Sequence, residues 1–122
     1  MRPLNASIAA IALVAFAGVA AAHPKLVSAS PAANAVVAAP QKITLTFSEK
    51  LMPAFSKAEL TMAAMPGMAA MQMPSAAALA PDGKTLAITT KARLARGKYV
   101  VDWHVVSSDT HKIAGSYTFA VK

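Results

Sequence analysis

A histidine and a proline, His23-Pro24, stand directly behind three alanines, Ala20-Ala21-Ala22. A cut after Ala22 would make His23 the first residue, with two neutral nitrogens, the free amine and ring Nδ1, placed to close one chelate. Pro24 has no backbone N–H, so the next peptide nitrogen cannot be recruited as a ligand and the terminal histidine stays bidentate. Further donors must then come from elsewhere. Asp109-Thr110-His111 sets a carboxylate and an imidazole two residues apart, and an extended segment would turn both to one side. An amine, two imidazole nitrogens and a carboxylate oxygen form a tetragonal N/O set, the geometry that Cu(II) prefers. On its own the Asp-x-His spacing is commonly a turn aspartate beside a surface histidine; its combination with a terminal His-Pro favours the metal. Glu49 could accept a hydrogen bond from a ligating histidine and orient it, or be a solvated carboxylate at a strand end. His104 alternates away from Trp103 toward solvent and is a further candidate ligand.

Five of the seven methionines, Met62, Met65, Met68, Met71 and Met73, fall within twelve residues. A helical stripe of adaptable core methionines is opposed by Pro66 and Gly67 at its middle. A loop remains, and five thioethers exposed on a loop call for something to bind. Thioether sulfur is soft and neutral, which suits Cu(I) and discriminates against Zn(II), Ca(II) and Mg(II). The alternatives are a loop packed over a sheet edge or a methionine surface that docks a partner. Spacing alone does not say which of the five bind.

Arg2, the apolar run 8–19 and the small residues before position 23 read as a secretory signal over residues 1–22, too short for a comfortable membrane span. The remaining domain, 23–122, has 100 residues, enough for one small core. With no cysteine it gains no disulfide in an oxidising compartment, and no thiolate is present to reduce Cu(II). Losing Arg2 takes the whole-chain charge from +7 to +6. Nucleic acid is rejected as a partner, because export separates the chain from it and the cations are scattered along the sequence without an aromatic platform. Stable membrane insertion after cleavage is not expected. A weak attraction to acidic partners or an anionic membrane surface stays open.

Period-two alternation dominates the mature chain. Ile43, Leu45 and Phe47 share one face against Lys42, Thr44 and Thr46; Tyr99, Val101, Trp103 and Val105 repeat the pattern, as do Tyr117, Phe119 and Val121. Shorter strands are predicted over 25–29, 56–62, 76–80 and 85–90, with a hairpin turn at Pro81-Asp82-Gly83-Lys84. Seven short strands separated by proline and glycine turns predict an all-β fold, a small Greek-key β-sandwich or barrel. Trp103 is expected at its centre.

From His23-Pro24-Lys25-Leu26 through Phe47-Ser48-Glu49 and Met62-Ala-Ala-Met65-Pro-Gly-Met68 to Ser108-Asp109-Thr110-His111, the chain resembles the CopC copper resistance family of periplasmic copper carriers. That resemblance implies a cupredoxin-like or immunoglobulin-like barrel. On the matching positions, His23, Asp109 and His111 would hold Cu(II) with Glu49 beside them. Met62, Met65, Met68 and Met73 would serve Cu(I), with Met71 as an additional candidate. Delivery to or from a copper membrane transporter and a periplasmic multicopper oxidase is also implied. Two positions depart from the pattern: Ala69 and Ala70 stand where a histidine often follows the Met-Pro-Gly-Met stretch, and His104 stands where a basic residue such as arginine is expected after Asp-Trp. An all-sulfur site should bind Cu(I) and tolerate Cu(II) poorly.

The leading expectation is a periplasmic carrier or sequestration protein for copper homeostasis and resistance, not an enzyme. A histidine-brace copper monooxygenase is the first alternative; it would need an open copper position, for which Asp109 competes, and 6% aromatic residues leave little for a carbohydrate platform. An immunoglobulin-like interaction module without metal is the second.

Overall fold

The computed structural model describes residues 24–122, so the leader and His23 lie outside the described residues. Nine strands build two facing sheets. They are β1 (Leu26–Ser30), β2 (Val36–Val37), β3 (Lys42–Phe47), β4 (Lys57–Met62), β5 (Met71–Met73), β6 (Ser75–Leu79), β7 (Thr85–Thr90), β8 (Gly97–Val106) and β9 (Lys112–Val121). One sheet has the order β1-β3-β7-β6 and the other β2-β9-β8-β4-β5. All neighbours are antiparallel except β2, which runs parallel to β9. Among the described residues no helix is long and apolar enough to cross a membrane.

The alternation read from the sequence is the alternation that buries the core. Ile43, Leu45 and Phe47 of β3 face Tyr99, Val101 and Val105 of β8 across the sandwich, all buried, while the residues between them point outward. Leu60, Leu86, Ile88 and Phe119 complete the same cluster. Tyr99 stacks on Phe119 with ring centroids 5.6 Å apart, and its hydroxyl donates to the Ala95 carbonyl at 2.6 Å, which satisfies the polar atom that this ring carries into the core. The predicted hairpin between β6 and β7 forms: Leu79 pairs with Leu86, Gly83 adopts φ +73°, and the Asp82 carboxylate accepts from the Lys84 and Thr85 N–H groups at 2.8 and 2.9 Å. These bonds, together with one from the Thr85 hydroxyl, hold the Asp82 carboxyl below its usual range.

Three expectations need correction. Trp103 is not at the centre, which Tyr99, Phe47 and Phe119 occupy; it is half-buried toward one end, edge-on to Phe47 at 6.3 Å and tilted against Tyr117 at 6.1 Å. The reason lies across the ladder, where Trp103 pairs with Gly115 and its indole lies over the space a side chain there would need. The described residues form nine strands, not seven, the additions being β2 and β5. The methionine segment is not a free loop either: Met62 closes β4, and Met71 to Met73 form β5, paired back on β4.

A Cβ on Gly115 would stand 2.5 Å from Trp103 Cζ2, closer than packed carbon atoms tolerate. Gly115→Ala is therefore expected to destabilise the domain by about 1–3 kcal/mol, lowering Tm by roughly 4–8 °C for each kcal/mol. The same change should shift the emission of the single tryptophan. Unaltered emission and Tm would show that the indole does not rest there. Beside it, burial pushes the Tyr117 hydroxyl up to about 12, and that oxygen finds no hydrogen-bond partner among the described residues.

Candidate metal centre

The sandwich has two ends with different chemistry. At the upper end the chain enters at Pro24, which is fully buried. The Lys25 N–H donates to the Ser48 hydroxyl at 2.9 Å, and the Ser48 N–H donates to the Lys25 carbonyl at 2.8 Å. Two residues further along the same segment, the Lys50 carbonyl accepts from the Ser108 N–H at 2.8 Å, and Leu51 bridges to Ser107. Residues 48–51 thus tie the entry point of the chain to the loop that carries Asp109 and His111, within roughly two residue rises, about 7 Å. Glu49 is half-exposed on that connecting segment.

Asp109 and His111 do meet, though not on an extended segment. The turn 107–111 is closed by a bond from the Thr110 N–H to the Ser107 carbonyl at 2.8 Å, and Thr110 takes φ +73°, a left-handed backbone uncommon for a β-branched residue. This reversal, not strand alternation, brings the two side chains together, with His111 Nδ1 3.1 Å from Asp109 Oδ2. Two donors at right angles, each about 2 Å from one ion, stand roughly 2.8 Å apart, so the pair is spaced like adjacent ligands. Among the described residues, however, no three side chains of His, Cys, Asp or Glu come close enough to hold a metal. Asp109 and His111 are the two such side chains that meet at this end.

Sequence reasoning missed Ser107. Its side chain is buried, its hydroxyl donates to Asp109 Oδ1, and it accepts from the His111 N–H at 3.2 Å. The Ser107 bond is the main reason that the Asp109 carboxyl lies below its usual range, with His111 nearby adding to it. A serine two residues before an aspartate at a strand end is a common turn-forming pattern, and that was its available signal. Ser107→Ala is expected to loosen Asp109 and His111 together and to weaken Cu(II) binding about 10- to 100-fold without changing the ligand set. A chelator competition titration with the absorption spectrum recorded alongside checks it; unchanged affinity would remove Ser107 from the site.

The methionines gather at the lower end. Met65 and Met68 exchange two backbone hydrogen bonds of 2.9 and 2.8 Å around Pro66-Gly67, with Gly67 at φ +81°, as a type II turn requires. Met62 pairs with Met71, and Leu60 with Met73. Met62 is buried, Met65 and Met73 pack partly against the core, and Met68 and Met71 are 46% and 49% exposed. The Met62 Cε and Met65 Sδ both lie within 4 Å of the Cβ that Gly97 lacks, so the absent side chain makes room for two thioethers to approach one another. His104 is far from this cluster: it pairs with Lys57 at the opposite end of β4, exposed on the outer face.

Residues 26–122 match the model of the CopC domain. The chain belongs to the CopC family. It is 47% identical over 123 residues to Copper resistance protein C of Xanthomonas campestris pv. juglandis, covering 99% of this chain and 97% of the relative. It is 54% identical over 103 residues to Copper resistance protein C of Pseudomonas syringae pv. tomato, covering 83% and 82%. Among solved CopC-family structures, PcoC, a methionine-rich copper resistance protein from Escherichia coli, superposes with a TM-score of 0.77 at 48% identity, over 83% of this chain and all of that one. CopC from Methylosinus trichosporium OB3b gives 0.71 at 34% identity, over 82% and 94%. The two-sheet sandwich is thus the CopC fold, and copper resistance is what these relatives are named for.

Proposed function

We propose that this CopC-family chain is a periplasmic copper carrier, exported by residues 1–22, with separate sites for the two oxidation states and no catalytic role. Cu(II) is held by His23, through its amine and ring, together with Asp109 and His111, and Glu49 stands beside them. Cu(I) is held by thioethers of the β4–β5 hairpin, Met62, Met65 and Met68 with Met73 or Met71. The observation that carries the reading is the meeting of Asp109 and His111 at the sandwich end where Pro24 enters. His23 is the residue before Pro24 in the sequence, and its amine and ring are the further donors that this reading calls for. The methionine hairpin at the other end is chemically distinct, all sulfur and without an imidazole, so a change of oxidation state moves copper affinity from one end to the other.

The relatives' names favour resistance by sequestration or transfer over catalysis. A copper membrane transporter and a multicopper oxidase are the partners that the family resemblance implies. The test is retention: the mature protein dialysed against Cu(II), and separately against Cu(I) under reductant, should keep one equivalent in each case. Loss of copper in both states would overturn the proposal.

A further inference from the structure

Along the sequence the cations look evenly spread, but the fold sorts them. Lys42, Lys91, Arg93, Arg96, Lys98 and Lys122 all lie on the loops and strand ends of the methionine end, and all are exposed. The segments that build this end carry no aspartate or glutamate. Of the five acids, Glu49, Asp82 and Asp109 sit on upper-end segments among Lys25, Lys50, Lys84 and Lys112. Glu59 and Asp102 pair with each other across β4 and β8 in the middle of the outer face. The six cations of the methionine end equal the whole +6 of the mature chain; the rest of the molecule is balanced. A charge so concentrated steers an anionic partner onto one end.

That end also has a shaped receptor. An open groove of roughly 670 Å³ runs between the Met65-Pro66 arm of the hairpin and the edge formed by β2 and the end of β9. Arg96, Lys98 and Lys122 line it, with Val36, Met65 and Pro66 as apolar contacts and no acidic residue. Val36, 63% exposed, gives the groove an apolar wall beside its cations. A flat bilayer surface would meet the rim of such a groove but not its floor, whereas an extended peptide fills it.

We infer that this groove docks an acidic segment, bearing apolar side chains, of a protein that exchanges copper with the chain. The cations orient the segment by its carboxylates, Val36 and Met65 receive its apolar side chains, and the docked partner is brought against Met65. The inference deepens the proposed Cu(I) reading, on which it rests for what is exchanged, though not for the contact itself.

The experiment uses metal-free, ¹⁵N-labelled mature protein and a twelve-residue peptide alternating aspartate and leucine as probe. Amide shifts are expected at Val36, Met65, Arg96, Lys98 and Lys122. The exposed triple change R96E/K98E/K122E should weaken binding at least about tenfold, while the upper-end change K50E/K84E stays within twofold, both variants first being matched to the parent in Tm. Equal binding by the parent and the triple variant, or shifts gathered around Lys50 and Lys84, would overturn the inference. So would binding to phosphatidylglycerol vesicles with none to the peptide. Cu(I) titration of the triple variant keeps the two readings apart. Retained Cu(I) affinity with lost peptide binding supports the groove. If the parent binds the peptide but no Cu(I), the docking surface stands and the carrier reading fails.

Discussion

His111→Ala is expected to lower the Cu(II) affinity of the mature protein by about 100-fold or more, equivalent to ~2.8 kcal/mol, while leaving the fold intact. The ring is half-exposed at the tip of a turn, so its loss opens no core cavity, and a Tm within a few degrees of the parent is expected. What disappears is the imidazole held 3.1 Å from the Asp109 carboxylate. The terminal chelate and one carboxylate would remain, and Cu(II) in a three-donor site is open to water and competing chelators. Asp109→Asn should cost less, because the amide still accepts from Ser107 while giving up the charge. The hydrogen bond from Ser107 holds the folded Asp109 carboxyl below the usual carboxylate range. A group with a depressed folded pKa stabilises the fold above its unfolded value and loses that contribution as pH falls through the folded one. Its help to stability is therefore present at neutral pH and is lost progressively as pH falls below the ordinary carboxylate range. Competition titration with a chelator of known affinity measures both variants; an affinity for His111→Ala within threefold of the parent would take His111 out of the ligand set.

The joint change Met65→Leu and Met68→Leu is expected to lower Cu(I) affinity about 1000-fold, ~4 kcal/mol, with Cu(II) binding unchanged. Leucine keeps the volume and apolar character of methionine, and the Pro66-Gly67 turn does not depend on the side chains flanking it, so the hairpin should persist. Only the sulfurs are lost. The single changes Met71→Leu and Met73→Leu then separate two ligand sets. The ladder places Met71 directly opposite Met62, with Met73 opposite Leu60, whereas the family resemblance favours Met73. Cu(I) competition with a thiol or bicinchoninate chelator reads all three variants, and equal affinity in the double variant and the parent would make the hairpin a packing element.

The contrast between what the sequence revealed and what it hid follows from the physics of each residue. Alternation predicted β3, β8 and β9 because each has one inward face, and a half-buried strand leaves its period in the sequence; β1 and β6, without a buried residue, were bounded by their turn signals instead. Strand β2 has two residues and exists by pairing with Ala120 and Val121, a long-range cause without a local pattern. Strand β5 was hidden by its own methionines, whose chemistry suggested a free loop while their backbone pairs with β4. Asp109 and His111 lie side by side, but through a turn with a left-handed Thr110 and a buried Ser107, not through the extended segment that their spacing suggested. Trp103 was misplaced because size suggested the centre, whereas its glycine partner made room nearer an end. The even scatter of lysine and arginine along the chain hid a strongly one-sided surface, since loops far apart in sequence share the methionine end.

The reading of the upper end as a copper site turns on a residue outside the described ones, His23, and on its amine. Protein verified by mass to begin at His23 should be titrated with Cu(II) beside the same protein carrying one additional alanine in front, with electron paramagnetic resonance recorded for each. A tight, tetragonal, nitrogen-rich signal from the first, and binding weakened by two orders of magnitude or more in the second, is the predicted result, because the extension converts the amine into an amide. Equal affinity and the same spectrum in both would contradict a terminal chelate and leave the methionine hairpin as the one copper site this chain offers.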